Sequence, residues 1–324
     1  MPTTTASAVQ RSPANRLGID YRKPPAWKLR PPLIDVHTHV KSLAAAAPFF
    51  EAADCYGVST IISMTPLESA APLHEAHGGR LRFIAIPNWR REGRDEGFRD
   101  EWISNLRRFR ELGAQLCKFW MAPPMRGDHG LTLEHAFIRP VIEAALELDY
   151  EFMVHVGDPT VWWRTKYADT AKYGTKEEQY PPLRWFLRHV APRRVIAAHM
   201  GGSIESPPLL QDLLDAHPNL YLDTSATKWI VREVAPQPDA VRAFVIRNAD
   251  RVLFGSDLVV DERYDFEHYA SRYWAQRSMW ETRYRGESPI DDPDAQNPPL
   301  LAGVDLPTDV LERVCRTNAT AFGM

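Results

Sequence analysis

The sequence predicts an α/β fold of the (β/α)8 or TIM-barrel kind, on three observations. Eight short apolar runs rich in β-branched residues recur along the chain, and helical patterns fall between them. The 324 residues suit a barrel folded as one large domain. No Gly-rich phosphate loop follows the first run, which disfavours the alternative of an open doubly wound sheet; Gly201-Gly202 after the sixth run is too little to make one.

Residues 1–30 come first, a Thr/Ala/Ser-rich leader passing into a stretch rich in Pro, Lys and Arg that reads as a partly ordered arm. The barrel is expected over 31–324. The breaker pair Pro31-Pro32 starts the first strand, 33–38. Further strands are expected at 58–64, 81–87, 114–120, 150–156, 195–199, 220–224 and 252–256. Helical periodicity is clearest at 97–112, 133–148, 207–216 and 240–248. Two connections exceed simple turns, 157–180 and 258–308, and both leave the carboxyl ends of strands, where barrel sites are built. The second holds a further helical stretch at 266–283.

Composition excludes several roles. The formal charge of −3 leaves no basic footprint for nucleic acid. No run of about 20 apolar residues suggests a membrane span, and Met1 to Gln10 lacks a secretory apolar core. Cys55, Cys117 and Cys315 are odd in number and scattered, which fits reduced, buried thiols and a cytoplasmic protein. The partner expected is a small-molecule substrate.

Asp35-Val36-His37-Thr38-His39 ends the first strand. Alternation along a strand puts His37 and His39 on one face, where two imidazoles can grip one divalent cation. Other strand ends carry residues of the same kind: His155 on the fifth, His199 on the sixth and Asp257 on the eighth. Barrel geometry brings such ends together although they lie far apart in sequence.

These motifs resemble the amidohydrolase superfamily, specifically the branch that contains aminocarboxymuconate-semialdehyde decarboxylase. The resemblance rests on Ile34-Asp35-Val36-His37-Thr38-His39, Ala198-His199-Met200-Gly201-Gly202, Leu222-Asp223-Thr224-Ser225-Ala226 and Phe254-Gly255-Ser256-Asp257, with a similar C-terminal segment at 316–323. It implies that His37, His39, His155 and Asp257 ligate one divalent ion, zinc first and manganese as the alternative. It also implies that His199 is the acid/base, with Asp257 a candidate for a second, proton-accepting role. The activity implied is hydrolysis of a small ester, lactone or amide by a metal-bound water; the alternative is nonoxidative decarboxylation of an aromatic or unsaturated acid. Lys118 is a candidate substrate or second-metal group, because other subtypes carry a carboxylated lysine at that strand. Trp120, Trp162 and Trp163 are candidate pocket walls. The decarboxylases use an arginine beyond strand two, which this chain lacks, so Arg164 or Arg263 would have to substitute. A homodimer is the assembly that the resemblance suggests, the sequence itself leaving oligomeric state open.

Overall fold

The computed structural model describes residues 12–295 and 298–324. Every one of the eight expected strands forms. In chain order they are β1 (Leu33–Val40), β2 (Val58–Ser63), β3 (Leu81–Ala85), β4 (Leu116–Trp120), β5 (Glu151–His155), β6 (Val195–Ala197), β7 (Leu220–Asp223) and β8 (Val252–Leu253). Each pairs in parallel with the next through the series. A ninth segment, β9 (Leu258–Val260), pairs with β1 through Thr38 opposite Leu258 and Val40 opposite Val260. The last expected strand, 252–256, thus forms only over Val252–Leu253 on β7, and β9 beyond it pairs with β1, so that the two close the barrel.

The split has a steric cause. A Cβ on Gly255 would lie 2.9 Å from the Cβ of His37, so only glycine lets this turn cross the end of β1. Asp257 then takes a left-handed backbone, φ 60°, before pairing resumes. The interior strands read as apolar runs because both faces are covered, one by barrel core and one by helices.

Helix boundaries follow local chemistry. Asp95 caps the helix Glu96–Glu111 by accepting from the Phe98 amide, and Asp265 caps Phe266–Glu281 by accepting from that of His268. The helix expected at 133–148 begins only at Arg139, with Pro140 in its first turn, and runs to Glu147. Nearly every side chain of Phe266–Glu281 is buried, since it packs on the helix Ala46–Cys55 through Phe49 against Tyr269 and also carries the N-terminal arm. Its Arg277 donates to the carbonyls of Tyr56 (2.8 Å) and Leu29, while Glu281 accepts from the Leu29 amide (2.8 Å). The arm is thus ordered from residue 12 onward, with Ser12 and Asn15 both hydrogen-bonded to Glu267; its residues 1–11 lie outside the described residues.

The connection 157–180 holds two short α-helices, Thr160–Trp163 and Thr170–Tyr173, and a 3-10 turn, Glu177–Gln179. The connection 258–308 holds β9, the helix Phe266–Glu281 and a small antiparallel hairpin of Arg285–Glu287 with Leu300–Ala302. Among the described residues no helix is long and apolar enough to cross a membrane.

Candidate metal centre

His37 and His39 leave β1 on the same side, and the strand-eight turn brings Asp257 to them. The Asp257 Oδ1 atom lies 3.0 Å from His39 Nε2 and 3.3 Å from His37 Nε2. One donor atom from each of the three falls within 4.8 Å of the others, a group able to hold a metal ion. Two imidazole nitrogens and a carboxylate oxygen are a donor set suited to zinc or manganese. Burial pushes the Asp257 carboxyl up, but His199, His39 and His37 outweigh it and hold the group below the usual carboxylate range.

What orients His37 comes from β7. Its Nδ1 is 2.8 Å from Asp223 Oδ2, which leaves Nε2 for a cation and fixes the ring. Asp223 is fully buried, and His37 and His199 pull its carboxyl down despite that burial. The same carboxylate accepts from the His199 amide at 2.8 Å. It therefore braces two of the site's histidines at once. Asp223→Asn is expected to weaken metal binding about 10- to 100-fold, read by competition with a chelator; unchanged affinity would remove this bracing role.

His199 follows β6 in a left-handed conformation, φ 57°, and Met200 and Gly201 continue it. Six described non-glycine residues have positive φ, and four of them (His199, Met200, Ala226 and Asp257) stand at this mouth. Such residues are strained by about 1–3 kcal/mol each and persist where surrounding structure holds them. The His199 ring centroid lies 4.9 Å from that of His37 and 4.6 Å from that of His155. Burial drives its pKa well below the ordinary imidazole value, so the ring is neutral around pH 7.

Ser225, a residue that sequence reasoning passed over, sits at the junction. Its Oγ shares hydrogen bonds with His199 Nδ1 (2.7 Å) and His37 Nδ1 (3.0 Å) and donates to Asp223. Trp229 was also missed, though it too lies just beyond the end of β7. Its ring centroid is 5.1 Å from that of His199, 6.2 Å from that of His155 and 4.6 Å from that of Trp162.

The other sequence candidates divide. His155 adjoins His199, but its Nε2 is 2.9 Å from Asp158 Oδ1, and it is outside the three-donor group. Asp158 is itself held by the Tyr167 hydroxyl at 2.8 Å, and this arrangement leaves Nδ1 of His155 for a cation. Lys118 is 3% exposed, and its Nζ finds no hydrogen-bond partner among the described residues. Burial lowers its pKa to about 8, against the opposing pull of Asp223 and Asp257. Trp120 meets the His155 ring edge-on at 6.2 Å. Trp162 reaches the centre through Trp229, and through Tyr167, which holds Asp158. Trp163 instead staples its own loop, donating to the Gly174 carbonyl at 3.2 Å and packing on Tyr167. Arg164 lines a separate cleft that lacks the site histidines, and Arg263 is paired with Asp261.

The cleft that opens at His39 has a volume of about 400 Å³. Met64, Leu67, Ile86 and Trp89 give it apolar walls, and Lys41, Arg90 and Arg108 add positive charge. Arg90 is paired with Glu68 at 2.9 Å, whereas Arg108 has no ion pair among the described residues.

A family model described as Amidohydrolase matches residues 73–322 of this chain. His37 and His39 precede the matched segment, so their place at the centre rests on the geometry above. No curated protein matches the chain. Among solved structures, a 5-carboxyvanillate decarboxylase from Novosphingobium aromaticivorans, with bound manganese and 3-methoxy-4-hydroxy-5-nitrobenzoic acid, is similar with a TM-score of 0.54 at 12% identity. That likeness covers 91% of this chain and 100% of the other. A 4-oxalomesaconate hydratase from Rhodopseudomonas palustris is similar with a TM-score of 0.51 at 13% identity, over 90% of this chain and 95% of the other. At such identities the likeness is one of fold.

Proposed function

The chain belongs to the amidohydrolase family, and from that premise we propose that it is a metal-dependent hydrolase of a small-molecule ester, lactone or amide. His37, His39 and Asp257 would hold one divalent ion, with His155 as the fourth ligand. Zinc is the ion proposed, with manganese as the alternative. When bound, such an ion polarises a carbonyl oxygen and makes water more acidic.

The observation that carries the proposal is the position of His199. Hydrolysis needs a group at the site that removes a proton from water and returns it to the leaving atom. His199 is buried beside the donor group and neutral near pH 7, with its backbone held by Asp223 and its Nδ1 engaged by Ser225. With Nδ1 so engaged, Nε2 is the ring atom left to take a proton from water. Lys118, with a pKa of about 8, keeps a positive charge near pH 7 that would favour an anion forming on the substrate.

A second reading, nonoxidative decarboxylation, is favoured by Arg108 in the cleft, which suits a substrate carboxylate, Lys41 and Arg90 being paired with Asp261 and Glu68. One solved structure of this fold is a decarboxylase. That reaction breaks a carbon–carbon bond, releases carbon dioxide and needs a proton delivered to carbon. The test is the metal-loaded protein offered lactones, esters and amides in one panel and hydroxybenzoates in another. Turnover is expected in the first panel; carbon dioxide release confined to the second would overturn the hydrolase assignment.

A further inference from the structure

The Asp35 carboxylate is 0% exposed, yet it is not among the donors grouped at the metal centre. Its Oδ1 accepts from the amides of His37 at 3.2 Å and Ser256 at 3.0 Å. Its Oδ2 accepts from the hydroxyls of Ser256 at 2.6 Å and Tyr273 at 3.0 Å. A carboxylate has about four acceptor sites, so these donors saturate Asp35 and leave nothing for an ion or a substrate. It has no ion pair among the described residues. A carboxyl buried without a counter-ion is costly, and core positions of this kind are ordinarily apolar.

What those bonds join gives the reason for it. His37 is one candidate ligand, and Ser256 adjoins another, Asp257. Asp35 therefore ties β1 to the turn that crosses its end, and does so beside both ligands. The turn is held further by the Asp257 amide, which donates to the His37 carbonyl at 2.7 Å, and by Ser256 Oγ, which accepts from the Leu258 amide at 3.2 Å. Asp257 itself has φ 60°, a strained conformation that persists only where its surroundings fix it.

Tyr273 and Gln276 stand three apart on one face of the helix Phe266–Glu281, and both are fully buried. Gln276 Nε2 donates to the carbonyls of Thr224 at 2.9 Å and Gly255 at 3.3 Å, while its Oε1 accepts from Trp280 Nε1 at 2.7 Å. One helix face thus reaches the segments that carry Asp35, Ser225 and Asp257. Metal–ligand distances tolerate only about ±0.2 Å, so a turn free to shift would loosen an ion held by Asp257.

We propose that Asp35 and Tyr273 are positioning residues for the metal centre. Tyr273 fixes the Asp35 carboxylate, and Asp35 fixes the turn that presents Asp257 to the ion. This rests on His37, His39 and Asp257 being ligands, and it holds whichever bond the centre breaks.

The test is titration of the metal-free full chain with Co²⁺, followed by visible absorption, and with Zn²⁺ in competition with a chelator. Asp35→Asn keeps the shape of the side chain and is expected to weaken Zn²⁺ by about tenfold or more. Tyr273→Phe removes one hydroxyl and is expected to weaken it by about threefold or more. Both should shift the Co²⁺ bands, which report the ligand geometry. Tyr150→Phe is the control: it deletes another buried hydroxyl, one that donates to the Leu106 carbonyl at 2.7 Å at the far end of β5. It is expected to bind both ions as the parent does, whatever its Tm. If Asp35→Asn does not fold, Tyr273→Phe decides alone. Parent-like affinity and bands in Tyr273→Phe would overturn the positioning role and leave the metal centre standing, as would an equal loss in Tyr150→Phe. A parent chain that takes up neither ion would instead overturn the ligand assignment itself.

Discussion

Asp257→Asn is expected to lower metal affinity by more than about 100-fold and kcat/KM by on the order of 10³-fold or more. The size of the effect follows from the place of this carboxylate. It is the anionic member of the three-donor group, and its oxygen faces the Nε2 atoms of both His37 and His39. Those histidines hold it ionised, so asparagine removes a full negative charge from the point where a dication would sit. Asparagine also tolerates the left-handed backbone at this position, φ 60°, so the turn itself should survive. Metal analysis after dialysis, with activity measured before and after adding zinc or manganese, reads both effects. Retention of a full equivalent of metal would show that Asp257 is not a ligand.

His199→Asn is expected to have the opposite signature, with metal retained and kcat reduced by about 10²- to 10⁴-fold. His199 is outside the His37, His39 and Asp257 donor group, yet its ring adjoins that of His37. Asparagine again accepts the left-handed conformation, and the backbone amide can keep its bond to Asp223. The variant therefore removes the imidazole with little disturbance to the turn. Equal metal content beside a large loss of kcat supports proton transfer by His199. Activity within a fewfold of the parent would sink that role, and loss of the metal would recast the residue as a ligand.

The eight strands were legible because buried parallel strands are short apolar runs whatever surrounds them. The helix Phe266–Glu281 was legible in outline, and Asp265 marks its start. The break between β8 and β9 was not legible, since it arises from Gly255 crossing His37 at a distance of 218 positions in sequence. The arm read as partly ordered, but its anchors were hidden for the same reason: Leu29 is held by Arg277 and Glu281 across about 250 positions.

The candidate site was legible in its donors and only partly in its supports: Asp158 and Asp223 could be read as orienting groups, Ser225 and Trp229 could not. His37, His39, His199 and Asp257 each announce themselves by residue type at the end of an apolar run. Ser225 does not, because a serine within Leu-Asp-Thr-Ser-Ala reads as an ordinary strand-end residue. Only the placing of β7 between β6 and β8 puts its hydroxyl between two histidines. Trp162, Trp163 and Arg164 are consecutive, and a short helix sends them three ways: toward Trp229, into their own loop and into a separate cleft.

By itself, the sequence determined the barrel and the kind of donor at its strand ends, because strand patterning and donor type are local properties of the chain. The tertiary structure decided which donors meet, that Asp223 and Ser225 brace them, and that Asp158 engages His155. Those outcomes depend on distances across the barrel. Distances are set by closure of the sheet and by the left-handed turns at His199 and Asp257, which no local pattern encodes.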